Sequence, residues 1–216
     1  LKIKRISSLY SVFYLIEKNE RTLLIDTGMP FDIRKIKIMG IKPDYVFITH
    51  GHIDHIGTAY YLQKEGTKVF IHEKDYEFIE GKLVDLPPSK GTVYSNIMYL
   101  VLKFLKNLAS FEPFKKDEFD KEIPDVRIIE TPGHTYGSCT FKIGDNYFTG
   151  DLLLGPNPFI KRPRISLFVR DKKLLKRTLE FLFELEGRFY PGHGFSFTSL
   201  LLKKSRDHIW RELKKI

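Results

Sequence analysis

The chain has 216 residues, 42% of them hydrophobic, and carries a formal net charge of +9. That length can bury one full core, so a single domain over 1–216 is expected, and the positive balance favours an anionic partner without fixing fold or activity. The single cysteine, Cys139, excludes an intrachain disulfide and fits a reducing compartment; within Cys-Thr-Phe-Lys-Ile it reads as buried packing rather than a nucleophile.

Leu1 to Ile6 alternates apolar and basic residues and lacks the long apolar run of a signal peptide, so a cytoplasmic location is expected. Glutamine occurs once, at Gln63, among plentiful lysine, glutamate and isoleucine, a bias resembling thermophile proteomes. Ser11 to Glu17 and Arg21 to Ile25 are rich in β-branched and aromatic residues and read as two strands joined at Lys18-Asn19-Glu20. The second strand runs into Asp26-Thr27-Gly28, a polar stop that can bring backbone close to a site. Phe31 to Met39 has helical spacing and ends at Gly40, and Tyr45 to Ile48 is a short apolar run that reads as a buried strand. A helix over Ile56 to Lys64, a strand from Lys68 to Ile71 and a short helix from Asp75 to Ile79 follow, then a breaker-rich loop at Leu86 to Gly91.

Tyr94 to Phe111 is unusually apolar, but Lys103 and Lys106 interrupt it, and it is too short and too charged to span a membrane. This segment, a helical insertion at about 92–111, stays open between a helix packed on its own domain, a lid over a site and a homodimer surface. A charged loop, Phe111 to Glu122, leads to strands at Val126 to Glu130, Gly137 to Ile143 and Tyr147 to Thr149, the last two joined by Gly144-Asp145-Asn146. The basic loop Lys161-Arg162-Pro163-Arg164 precedes a helix from Lys172 to Leu185, a short strand Arg188 to Tyr190 and a closing amphipathic helix from Thr198 to Leu213. Two halves of strands and helices that send loops to one edge suggest an α/β sandwich of sheets covered by helices.

Within that frame, Thr49-His50-Gly51-His52-Ile53-Asp54-His55-Ile56-Gly57 concentrates three imidazoles and a carboxylate. Those are ligands for borderline and hard divalent ions. The run begins at the carboxyl end of a strand, where α/β architectures place their chemistry. His50 and His52 point the same way in an extended segment, whereas Asp54 and His55 are adjacent and diverge, which suits a second ion. His134 in Thr-Pro-Gly-His-Thr, Asp151 in Thr-Gly-Asp and His193 in Pro-Gly-His-Gly complete seven candidate ligands, enough for two ions with one carboxylate shared. His72 and His208 read instead as packing or surface polarity.

The set resembles the metallo-β-lactamase superfamily, whose His-x-His-x-Asp-His signature matches positions 50 to 55. Leu24-Ile25-Asp26-Thr27-Gly28, Thr131-Pro132-Gly133-His134-Thr135, Phe148-Thr149-Gly150-Asp151 and Tyr190-Pro191-Gly192-His193-Gly194 resemble further motifs of that family in its order. The resemblance implies a four-layer αββα fold and a ligand set like that of glyoxalase II. His50, His52 and His134 would hold one metal, and Asp54, His55 and His193 the other, with Asp151 bridging and Asp26 steadying the ligand loops from behind. It implies hydrolysis by a hydroxide bridging two divalent ions, zinc first, with iron or manganese also suited, and with Asp54 orienting the nucleophile and carrying a proton to the leaving group.

The presence of Asp151 sets the chain apart from lactamases that use cysteine at that position or lack the carboxylate. Flavodiiron proteins usually place glutamate where His52 stands, and glyoxalase II adds a helical glutathione domain, whereas only one helix is read after Thr198, so the glyoxalase II substrate itself is not expected. A small ester, thioester or lactone is therefore the first expectation for the substrate. A phosphodiesterase or nuclease acting on an anionic substrate is the alternative, with Lys161, Arg162 and Arg164 as candidate substrate contacts, and a diiron redox or sulfur-oxidising protein is a third class. Nucleic acid is compatible with the charge but not indicated by any module.

Overall fold

The computed structural model describes residues 1–79, 122–166 and 168–216. In the first half, β1 (Lys2–Ser7), β2 (Val12–Lys18) and β3 (Arg21–Ile25) pair antiparallel, and β4 (Tyr45–Phe47) and β5 (Lys68–Phe70) continue the sheet in parallel, in the order β1-β2-β3-β4-β5. The β2–β3 connection turns on Asn19 and Glu20, with φ of 49° and 60°. Two consecutive left-handed residues make the tight turn whose twist matches the flanking strands.

Period-2 alternation then sorts the side chains. Phe13, Leu15, Leu24, Val46 and Val69 face one core, which α1 (Ile33–Ile38), α2 (Ile53–Ile56) and α3 (Ala59–Lys64) cover through Ile36, Ile56 and Leu62. Val12, Tyr14, Ile16, Leu23, Ile25, Phe47 and Phe70 face the opposite way, into a second core.

The far wall of that second core is the other sheet, β6 (Arg127–Glu130), β7 (Cys139–Ile143), β8 (Asn146–Gly150), β9 (Arg188–Pro191) and β10 (Phe197–Thr198), ordered β10-β9-β8-β7-β6. Cys139, Phe141, Ile143 and Phe148 meet the first sheet, with Phe47 and Phe141 ring centroids 5.3 Å apart. Tyr14 crosses the interface to donate to the Pro191 carbonyl at 2.6 Å. That bond satisfies the only polar atom of a side chain that is 2% exposed, and burial pushes its phenol pKa up. The outer face of this sheet is covered by α5 (Lys172–Leu182), α6 (Ser199–Lys204) and α7 (Arg206–Lys215) through Leu175, Leu179, Leu182, Leu202, Ile209 and Leu213. Asp171 caps α5 by accepting from Lys173 N and Leu174 N, a contact worth about 1 kcal/mol. The layers are helix, sheet, sheet, helix, the αββα arrangement that the sequence motifs imply.

Several elements differ from the sequence reading for identifiable reasons. The helix expected over Ile56 to Lys64 starts only at Ala59, as α3; Ile56 instead closes the separate short α2, and Gly57-Thr58 divides the two. Gly57 lies against the Gly28–Pro30 backbone, where a Cβ would come within 2.4 Å of Met29 C, and its N–H donates to Gly28 O at 2.9 Å. This contact locks the ligand loop onto the end of β3 and breaks the helical path. The closing helix likewise divides into α6 and α7 at Ser205, whose Oγ donates back to Leu201 O at 2.8 Å. Part of the helix expected from Asp75 is a 3-10 turn, Glu73–Asp75, that passes into α4 (Tyr76–Ile79). The N-terminal alternation, read only as the lack of a leader, is an edge strand. The apolar segment Tyr94 to Phe111 and the loop Leu86 to Gly91 lie outside the described residues. Among the described residues no helix is long and apolar enough to cross a membrane.

Candidate metal centre

Strand ends converge on one edge of the sandwich. β3 delivers Asp26, β4 leads into Thr49 and His50, β6 leads to His134, β8 to Asp151 and β9 to His193. Cys139 N donates to Thr49 O at 2.8 Å, and Val12 N donates to Gly192 O at 2.7 Å, so the two sheets are stitched together where these loops meet. Asp26 organises the centre from beneath. It adopts a left-handed φ of 59°, a conformation that aspartate tolerates better than most residues, and is 2% exposed. Its carboxylate accepts from Thr49 N at 2.7 Å, from Thr49 Oγ1 at 2.9 Å and from His55 Nδ1 at 2.8 Å.

The first group is His50, His52 and His134, whose donor atoms lie within 4.8 Å of one another. His134 Nδ1 donates to the Phe168 carbonyl at 2.6 Å, which leaves Nε2 with a bare lone pair. Thr49 Oγ1 spends its proton on Asp26, so it accepts from His50 Nδ1 at 3.1 Å, and His50 Nε2 is bare as well. Both of those nitrogens lie 3.0 Å from His52 Nδ1. A single N–H cannot satisfy two acceptors, whereas one cation can take all three lone pairs. Nitrogens sharing a tetrahedral zinc at ~2.1 Å are roughly 3.4 Å apart, close to the spacing found here.

The second group, Asp54, His55 and His193, is more acidic. Asp54 Oδ2 lies 3.6 Å from His55 Nε2 and 3.5 Å from His193 Nε2. Asp151 belongs to both groups: its Oδ1 is 3.4 Å from His55 Nε2, and its Oδ2 is 3.0 Å from His193 Nε2 and 3.9 Å from His134 Nε2. His55 Nε2 and Asp151 Oδ1 face each other at 3.4 Å, both buried and neither in a hydrogen bond. Buried polar atoms that lack a hydrogen bond carry a desolvation cost, and a cation between these donors would satisfy both. The residues present therefore fit a pair of divalent ions.

The electrostatics divide along the same line. Burial, reinforced by neighbouring imidazoles, holds His50 well below the usual histidine range and His134 down at about 4. At His55 burial also opposes the charge, but Asp54, Asp26 and Asp151 outweigh it and push the ring up to about 10. His193 is raised because Asp151 overcomes the same penalty. Asp151 is held far below the carboxylate range, its own burial outweighed by His193 and His55.

Comparison with known proteins agrees with this geometry. A family model described as the metallo-beta-lactamase superfamily matches residues 8–194. The chain belongs to that superfamily. The "Metallo-beta-lactamase fold-containing protein ST1585" of Sulfurisphaera tokodaii is 32% identical over 64% of this chain and 55% of its own length. "Probable metallo-hydrolase YybB" of Bacillus subtilis is 27% identical over 65% of this chain and 61% of its own length. The chain thus spans little more than half of these relatives. Among solved structures, TTHA1623 "in a di-iron-bound form" superposes with a TM-score of 0.65 at 25% identity, covering 94% of this chain and 98% of the other.

The superfamily binds divalent metals, and the seven clustered side chains could hold such ions, but the three basic residues stand apart. Lys161 and Arg162 are exposed and Arg164 is half-buried, with Arg164 N donating to Leu154 O at 3.0 Å. Among the described residues their side chains make no hydrogen bond or ion pair to the cluster. The histidines read as structural are so placed: His72 Nδ1 accepts from Lys74 N at 3.2 Å, and His208 pairs with Glu212 at 3.0 Å on α7. Sequence reading missed Asp75, whose buried carboxylate touches both ligand-bearing loops. The available signal was an acidic residue in the turn that follows a buried strand, which reads equally well as a helix start.

Proposed function

We propose that this superfamily member is a metal-dependent hydrolase that works with two divalent ions on a small ester, thioester or lactone. The observation that carries the reading is the convergence of seven donor side chains, with His55 Nε2 and Asp151 Oδ1 buried among them and without a hydrogen bond. His50, His52 and His134 would hold one ion, Asp54, His55 and His193 the other, and Asp151 would stand between them. Bound there, such ions would make hydroxide available from water at neutral pH and would polarise the electrophilic oxygen. Asp54, with a side chain 20% exposed at the mouth of the cluster, orients the nucleophile and passes a proton towards the leaving group. Asp26 fixes the His55 ring through Nδ1, so that Nε2 faces inward. Phe168 packs beside His52, ring centroids 5.8 Å apart, and forms an apolar wall on that side.

Zinc is the first candidate metal for a His/Asp donor set, and iron is supported by the similar di-iron protein. The similarity to a probable metallo-hydrolase supports hydrolysis over redox chemistry. The net charge of +9 and the exposed Lys161 and Arg162 support an anionic substrate.

Zinc- and iron-loaded protein should be assayed against a panel of esters, thioesters and lactones beside His134→Ala. Turnover that disappears in the variant supports the reading; no turnover above the variant on any member of the panel sinks it. Cleavage confined to phosphodiesters, with binding that falls steeply as salt is added, would move the substrate to the phosphodiesterase class.

A further inference from the structure

Asp75 closes the 3-10 turn Glu73–Asp75 beyond β5 and is 0% exposed. Its Oδ2 accepts from Gly51 N at 2.9 Å and Thr135 Oγ1 at 2.7 Å, and its Oδ1 accepts from Gly137 N at 2.8 Å. Gly51 lies between His50 and His52, and Thr135 follows His134. One carboxylate therefore joins two ligand loops that come from different sheets. Three donors converge on it, and only a carboxylate offers acceptors on both oxygens; an asparagine would turn an NH2 group against at least one N–H. Position 137 has to be bare for this approach, because a Cβ there would lie 2.6 Å from Asp75 Cγ and Oδ1.

The other half of the cluster is tied down by different groups. Asp26 holds His55 Nδ1, Ser11 Oγ donates to Asp54 O at 2.5 Å, and Val12 N holds the carbonyl next to His193. We propose that Asp75 is a positioning residue for one half of the centre: it clamps the two loops so that the nitrogens of His50, His52 and His134 converge on one ion. The inference rests on the two-ion reading of the cluster.

The test is zinc titration against a chromophoric chelator, with the ions separated by background: His193→Ala leaves the first group intact, and His134→Ala leaves the second. Asp75→Asn is expected to weaken the ion retained by His193→Ala by about 10–100-fold, the usual cost of losing a group that orients a ligand. The ion retained by His134→Ala should keep its affinity. Equal weakening in both backgrounds, or none in either, overturns the assignment, because a general loss of packing does not choose between halves. Should Asp75→Asn fail to fold, Thr135→Val removes one of the three donors at nearly constant shape. It should weaken the first ion selectively, and the lack of selectivity would again overturn the clamp. An unsubstituted chain that takes up fewer than two ions removes the two-ion reading and the clamp with it. Two ions in that chain without selective loss remove the clamp alone.

Discussion

His50 and His134 lean on a hydroxyl and a backbone carbonyl, whereas His55 and His193 are surrounded by carboxylates, and their basicities diverge accordingly. His134 is held down at about 4 and His55 is pushed up to about 10, although both are fully buried. Burial alone would lower both rings, so the difference comes from Asp26, Asp54 and Asp151. One half of the cluster presents bare lone pairs in neutral surroundings, and the other concentrates charge. The residue types are nearly the same; what differs is how closely carboxylates stand around each ring.

Asp151 lies against His134 of one half and against His55 and His193 of the other, so Asp151→Ala should have the largest effect. Hydrolysis should fall by about a thousandfold or more, as when one member of a set acting as a unit is removed, and zinc binding should weaken in both halves. Loss confined to one half would break the comparison. Asp26→Asn comes next. Because Asp26 touches Thr49 beside His50 as well as His55, zinc affinity should fall about 10–100-fold in both backgrounds, in contrast to the one-sided loss at Asp75. Selective loss at one half would show that one of those contacts is idle.

Smaller effects sharpen the comparison from outside. Reversing Lys161 and Arg162 to glutamate should raise KM for an anionic substrate by about threefold and leave zinc affinity alone, as expected of exposed charges that steer rather than hold. A change in zinc affinity would place that loop nearer the centre than its exposure suggests. Phe141→Ala opens a cavity between the sheets and should cost about 3–5 kcal/mol of stability, a fall in Tm of roughly 6–20 °C by calorimetry. Its effect on the two ions should be equal and small, since Phe141 packs against Phe47 and Phe70. An effect on one ion only would contradict the separation of core from centre.

The fold was legible where strand-forming residues run together between turn signals. Ser11 to Glu17 and Arg21 to Ile25 read as a hairpin because both are rich in β-branched and aromatic residues, and β2 buries both of its faces, one in each core. The donor cluster was legible because His50 to His55 carries imidazoles and a carboxylate in nearly contiguous residues, and the seven candidates do lie together. Breaks set by distant backbone were not. Nothing local to Gly57 announces that it will press on Met29, and Ser205 divides a segment whose apolar spacing is continuous. Asp75 was illegible for the same reason: its three donors come from positions 51, 135 and 137, brought together only when the sheets pack. The basic loop from Lys161 to Arg164 was read as a substrate contact on charge and chain proximity to Asp151, and the described contacts leave that role untouched.

The central claim is that seven side chains form one centre for two ions with Asp151 between them. Anomalous diffraction at the zinc edge, from crystals grown with excess zinc, addresses it directly. Two peaks are expected about 3.5–4 Å apart, one among His50, His52 and His134 and one among Asp54, His55 and His193, with the Asp151 carboxylate reaching both. A single peak, or a second ion outside this cluster, would contradict it.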